Sequence, residues 1–197
     1  MSKKNIPGST FIADASGLIP TILTQQELDE REFANINQAM TKYLLGSITE
    51  KKAPFTLTWL HQVHEEMYGQ VWSWAGAPRQ VETNIGVLPI HIQTSLQQLL
   101  GNLQFWRDQK TMDPIEMAAR LHHGLVQIHP YPNGNGRWAR LIANIFLKKM
   151  KQTLVFWPED DVRGETSFRN DYMDSLKRAD AGDFSRLIAL HRQYQGK

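Results

Sequence analysis

The residues best suited to chemistry lie between His129 and Arg140: His129-Pro130-Tyr131-Pro132-Asn133-Gly134-Asn135-Gly136-Arg137-Trp138-Ala139-Arg140. Gly134 and Gly136 have no Cβ, so the backbone there can take positive φ and turn its N–H groups toward one point. If a helix starts at this point, its free N–H groups and the positive end of its dipole complete an anion site suited to phosphate. Arg137 and Arg140 are three residues apart and share a helix face. Two guanidinium forks suit a polyphosphate better than a single carboxylate, because each pairs bidentately with phosphate oxygens. His129 sits at the mouth of the loop. Its ordinary pKa near ~6.5 leaves it mostly neutral at neutral pH, able to take a proton from an attacking hydroxyl. A base beside a phosphate cradle points to transfer of a nucleotide or a phosphoryl group. A glycine-rich turn or a histidine at a helix end is ordinary alone; the combination at this spacing is hard to assign to packing.

Two helices must hold this loop. Asp113, Pro114 and Glu116 supply an N-cap acceptor, a proline at the first helical position and an acid at the third. Met117, Leu121, Leu125 and Ile128 recur at helical spacing, so a helix should run from Pro114 to about Ile128, ended by Pro130 and Pro132. Leu141, Ile142, Ile145 and Phe146 form a second stripe, starting a helix near Gly136 or Arg137 and closing it near Lys148 and Lys149. His122 and His123 lie within the first of these helices and read as polar or packing positions.

Five further helices are expected before and after this pair. Residues 1–22 carry Pro7, Gly8, Gly17 and Pro20 and read as an irregular lead-in to one domain over 23–197. Thr24 and Glu27 form a capping box for a helix to about Leu45, acidic at its start through Glu27, Asp29, Glu30 and Glu32. Thr56 or Thr58 opens a helix to Tyr68 that places His61 and His64 on one face; a metal pair is conceivable, but no third ligand lies nearby and a polar face is the simpler reading. Trp72 and Trp74 before Gly76 and Pro78 suit core aromatics better than a stacking platform for bases. Residues 79–92 turn strand-like at Val81, Thr83, Ile85, Val87, Ile90 and Ile92, broken by Asn84, Gly86 and Pro89, and predict a short β-hairpin. Thr94 to Gln109 is helical again. Leu154-Val155-Phe156-Trp157-Pro158 is a short apolar turn, followed by helices over about 166–178 and 183–193, separated by a stop at Gly182 and a cap at Asp183.

The chain of 197 residues suits a single domain with a sizeable core. A net charge of +2 is too small to suggest a nucleic-acid binder, and the absence of cysteine removes disulfides and Cys-ligated zinc. No apolar run approaches the ~20 residues of a membrane span, and the basic N-terminus lacks the apolar core of a signal peptide, so the cytoplasm is the expected location.

The stretch resembles the signature of Fic domains, His-Pro-Phe-x-(Asp/Glu)-Gly-Asn-Gly-Arg-x-x-Arg. It matches at His129, Pro130, Gly134, Asn135, Gly136, Arg137 and Arg140, with Tyr131 in place of Phe. The resemblance extends from about Leu23 to the C-terminus and is most like the small stand-alone bacterial type called mobile mystery protein B, carried on mobile elements. It implies an all-α fold, a Fic-type helical bundle with one short β-hairpin flap. It also implies a magnesium-dependent protein adenylyltransferase that moves AMP from ATP to a Ser, Thr or Tyr hydroxyl of a target protein. By the same resemblance His129 is the general base, Gly134, Asn135, Gly136 and Arg137 hold the α- and β-phosphates, Arg140 holds the γ-phosphate, and Tyr172 lines the adenine pocket, with Met173 beside it. The flap, at Asn84, Ile85 and Gly86, docks the target by adding a strand to it.

One position departs from the pattern. Asn133 stands where an acid normally holds Mg²⁺; an amide oxygen ligates Mg²⁺ without adding charge, so the metal site is weakened. This leaves two alternatives open: a Fic-type transferase using another nucleotide donor, or a low-turnover nucleotide-binding partner in a toxin–antitoxin pair. The glycines at 134 and 136 argue against the related kinase variant. Many relatives carry an inhibitory helix, Ser/Thr-x-x-x-Glu-Gly/Asn; that pattern is absent here, and Glu27, Glu30 and Glu32 are the acids that could instead reach Arg140. The other candidate partners are a separate inhibitory or antitoxin-like protein and a second copy of the chain.

Overall fold

The computed structural model describes residues 17–19, 25–158 and 166–196. Among them are seven α-helices: α1 (Gln25–Leu44), α2 (Leu57–Tyr68), α3 (Ile92–Gln109), α4 (Pro114–Ile128), α5 (Asn135–Lys149), α6 (Ser167–Asp180) and α7 (Ser185–Gln193). The expected cap Thr24 and nearly all of the lead-in fall outside the described residues.

The caps show why the helices begin where they do. The Asp113 carboxylate accepts from the N–H groups of Ile115 and Glu116, and Pro114 follows it. Glu116 does not close the box; it pairs with Arg120 one turn on, at 2.8 Å. Thr56 caps α2 by accepting from Trp59 N–H, and Thr166 caps α6 by accepting from Arg169 N–H. Gly134, at φ 80°, is the N-cap of α5. α3 starts two residues before the expected Thr94, because Pro89–His91 form a short 3₁₀ turn that leads into it.

The pair α4–α5 is the centre of the bundle. α1 and α2 pack together and against α5, α3 lies on α4, and α6 and α7 cover the other side of α4. The face of α4 bearing Met117, Leu121, Leu125 and Ile128 is buried, as its spacing requires. α5 is buried nearly all round, with Trp138, Ile142, Ile145 and Leu147 at 0% exposure. Burying side chains of this size contributes about 1.5–3 kcal/mol each before the entropy of ordering them is counted. Trp72 is also core, as the plain reading of the Trp pair had it: its ring stacks on Trp74 at 5.0 Å.

The expected hairpin over residues 79–92 is not formed. The described residues contain no strand, only isolated bridges joining Leu18 to Trp72 and Val155 to Gln195. The reason is the side chain of Arg79. Its guanidinium donates to the carbonyls of Val81 and Val87, so these groups point inward to one cation rather than across to a partner strand. The alternating apolar residues gave a two-residue period without the ladder that normally goes with it.

Candidate active site

α4 ends on His129, which takes the left-handed conformation at φ 52° and donates its N–H to the Leu125 carbonyl. That conformation is uncommon for a residue with a Cβ and marks a strained turn. The side chain is 4% exposed, and neither ring nitrogen has a hydrogen-bond partner among the described residues. Burial lowers its pKa to about 4, with the Val126 carbonyl opposing and the Arg79 charge assisting. The imidazole is therefore neutral at pH 7, the form a proton acceptor needs.

The loop from His129 to α5 is built on α2. Tyr131 is fully buried, with its hydroxyl 2.9 Å from His61 Nδ1 and 3.4 Å from the Leu60 carbonyl. The His64 ring lies against the Tyr131 ring at 3.6 Å, accepts at Nδ1 from Gly76 N–H and meets the Asn133 carbonyl at Nε2, 3.0 Å away. Burial lowers the His64 pKa to about 3, so it is neutral and Nε2 carries the proton donated to Asn133. His61 and His64 thus position the loop rather than forming a metal pair. Among the described residues no group of three His, Asp or Glu could hold a metal ion.

The loop glycines differ in kind. A Cβ on Gly134 would lie 2.5 Å from the Tyr68 ring, and its φ is 80°, so only glycine fits. A Cβ on Gly136 would meet nothing closer than Arg140 Nη1 at 3.7 Å. Among the described residues the space over Gly136 is therefore open apart from Arg140, as a cradle for an anion requires. Asn135 does a different job from the one its place in the motif suggested. Its amide accepts from Tyr131 N–H at 2.9 Å and donates to the Tyr131 carbonyl at 2.8 Å, so what it can offer a phosphate is its backbone N–H at the helix start.

Arg140 is 6% exposed, with its guanidinium carbon 6.0 Å from the centre of the Tyr172 ring. Tyr172 is buried and its hydroxyl lies 3.0 Å from His122 Nε2. Arg137 lies over the Tyr68 ring and donates to Glu32 at 2.9 Å. Glu32 also accepts from Trp72 Nε1 at 2.8 Å and is 6% exposed. Of the three acids singled out in α1, Glu32 is the one that forms an ion pair with a motif arginine, and that arginine is Arg137 rather than the expected Arg140. Glu27 pairs with Arg31, and Glu30 accepts from Gln26.

The segment holding Asn84, Ile85 and Gly86 folds over His129. A Cβ on Gly86, at φ 103°, would lie 2.7 Å from both His129 Cβ and Arg79 Nη2. Spacing alone assigns Arg79 no role and gives the two α2 histidines only a polar face. Their roles depend on partners 50 and 69 residues away.

Residues 54–147 match the sequence model of the Fic/DOC family. The chain is 34% identical over 125 residues to protein adenylyltransferase fic-1 of Caenorhabditis briggsae, an alignment covering 60% of this chain and 23% of that protein. It is 28% identical over 169 residues to protein adenylyltransferase Fic of Nematostella vectensis, covering 82% of this chain and 38% of that protein. The chain thus spans well under half the length of these curated relatives. Among solved structures, the N-terminal Fic domain of a cell filamentation protein from Bartonella quintana, with bound ADP, superposes with a TM-score of 0.68 over 94% of this chain and 93% of that one. At 17% identity that likeness is one of fold.

Proposed function

The chain belongs to the Fic/DOC family over residues 54–147, and from that premise we propose that it is a protein adenylyltransferase taking AMP from ATP. The observation that carries this reading is His129: a buried, neutral imidazole that has, among the described residues, no partner for either ring nitrogen, in the loop that leads from α4 into α5. The names of the curated relatives and the ADP held by the Bartonella domain support the same activity and the same class of nucleotide.

In this reading the triphosphate lies over the open side of Gly136, against the first N–H groups of α5, with Arg137 and Arg140 on its flank. A hydroxyl oxygen of the target attacks the α-phosphorus and forms the new P–O bond. The bond from the α-phosphorus to the bridging oxygen breaks, and pyrophosphate leaves. His129 takes the proton of the hydroxyl and returns it to solvent. The arginines stabilise the charge that develops on the leaving group. Asn133 would offer one neutral oxygen to a Mg²⁺ carried in on the phosphates, whose role is to neutralise their charge. Tyr172, beside Arg140, is the residue that would meet the nucleoside. The target docks along the segment carrying Asn84, Ile85 and Gly86, which puts its hydroxyl close to His129.

The test is intact-protein mass spectrometry after incubation with Mg²⁺ and each nucleoside triphosphate, using the chain as its own acceptor. A gain of one AMP with ATP is expected, lost in His129→Ala and Arg137→Ala. Loss of one arginine should cost about 3–4 kcal/mol of transition-state stabilisation, comparable to removing an oxyanion donor. A gain the size of one phosphate would overturn the proposed orientation of the nucleotide. Gain of a different nucleoside monophosphate would keep the chemistry and change the donor.

A further inference from the structure

Three consecutive carbonyls at the end of α4 are all held by one segment. Val87 N–H donates to the Ile128 carbonyl at 3.3 Å, Arg79 N–H donates to the Pro130 carbonyl at 2.8 Å, and between them Arg79 Nε donates to the carbonyl of His129 itself at 2.7 Å. The same guanidinium gathers the carbonyls of Val81 and Val87. Arg79 is 3% exposed. Its charge is thus buried among neutral carbonyls, and no carboxylate forms an ion pair with it among the described residues. Burying a cation in this way is costly unless each N–H finds an acceptor, and here the planar fork finds three in fixed directions.

We propose that Arg79 is a positioning residue for the base: it fixes the left-handed backbone of His129 and couples the segment 79–88, where the target would dock, to the imidazole. The proposal rests on the adenylyltransferase reading only for naming His129 as the base. The strained turn needs something to hold it, because a residue with a Cβ does not favour positive φ. Rotating the His129–Pro130 peptide out of this conformation would take the carbonyl away from Arg79 Nε. Gly86 closes the assembly from above, pressed against both the His129 Cβ and the Arg79 guanidinium. A target strand that pulls on the segment therefore pulls on Arg79, and through it on His129. A lysine cannot replace this arrangement, since a single ammonium cannot bracket three carbonyls set in different directions.

The charge has a second consequence. Arg79 is the charged group whose field reaches His129 and disfavours its protonation. The other charges nearby act elsewhere: Glu82 acts on Arg79, Glu32 pairs with Arg137, and Arg140 lies beside Tyr172 and acts on His122. Position and charge can therefore be separated by two substitutions, Arg79→Lys and Arg79→Gln.

The experiment uses the full chain with its histidine rings isotopically labelled, and follows the His129 resonances by NMR across pH. Rates of AMP transfer, ATP affinity and melting temperature are measured alongside. In Arg79→Lys the His129 resonances should shift and broaden, ATP affinity should stay within about twofold, and transfer should fall by about a hundredfold, the cost of roughly 1 Å of misplacement. In Arg79→Gln the midpoint of His129 should also rise, because a like charge has been removed. Gly86→Ala, which keeps the cation but drives a methyl against both His129 Cβ and the Arg79 guanidinium, should reproduce the lysine result. A purely structural staple would lower the melting temperature in all three variants and leave the His129 resonances where they are; that outcome overturns the proposal. Should the wild-type chain transfer nothing, the adenylyltransferase reading fails, and the NMR comparison still decides whether Arg79 positions His129.

Discussion

Glu32 is the residue whose change should be most informative. It shares its carboxylate between Arg137 and Trp72, and the phosphates of a bound nucleotide would need the same arginine. Glu32→Gln keeps an oxygen for the indole N–H and removes the charge that competes for Arg137. A charge-assisted hydrogen bond contributes about 1.5–3 kcal/mol, so relieving the competition should tighten ATP binding roughly tenfold or more. Titration calorimetry reads this directly, and self-modification should rise with it. Weaker binding would mean that Glu32 orients Arg137 instead of restraining it. At this scale the sequence was legible where structure is local: the turn between two helices that carries His129, Gly134, Arg137 and Arg140 follows from spacing along one stretch. Asn135 could not be read from spacing, because its side chain turns back onto Tyr131. The choice of Glu32 over Glu27 and Glu30 was invisible as well, since it depends on which face α1 turns to Trp72.

Among the elements, α2 is the support on which the motif loop rests, through His61, His64, the Leu60 carbonyl and the Tyr68 ring. This separates the two loop glycines experimentally. Gly134→Ala would drive a Cβ into Tyr68 at positive φ and should cost about 1–3 kcal/mol of stability. Gly136→Ala adds a methyl into open space near the start of α5, where alanine is the better helix former by about 1 kcal/mol. It should melt at or slightly above the wild-type temperature, yet bind ATP several-fold more weakly if the phosphates lie there. Equal affinity in Gly136→Ala would place the nucleotide elsewhere. The helices themselves were legible, because caps such as Asp113 and Thr56 and stripes such as Met117 to Ile128 are local signals. The segment 79–92 was misread as a hairpin because its alternation is real, while the arginine that gathers its carbonyls acts at a distance no pattern reports.

Across the whole molecule, α4 threads a line of buried histidines that constrains behaviour in acid. His191 Nδ1 lies 2.8 Å from the Leu187 carbonyl and must carry a proton to bond it, so in the neutral ring Nε2 accepts. His122 Nδ1, 3.3 Å away, is then the donor, and His122 Nε2 accepts from the Tyr172 hydroxyl. The direction of every bond in the chain from Tyr172 to α7 follows from neutrality. Burial is the leading cause of that neutrality, holding His64 at about 3, His129 and His191 at about 4, and His122 well below its ordinary value. In the unfolded chain each of these groups titrates near ~6.5. As pH falls below that value, the unfolded state takes up protons that the folded state refuses, so the unfolded state binds more protons and stability falls with falling pH. Each unit of difference corresponds to ~1.4 kcal/mol per group at full expression, so the loss between about pH 6.5 and 4.5 should amount to several kcal/mol. The carboxylates held low by their partners, Asp113 and Glu50, act in the same direction only at lower pH, which leaves this window to the histidines. Urea unfolding at pH 7.5 and pH 5.0 measures the difference, and a midpoint that does not move would show that the folded chain accepts these protons after all.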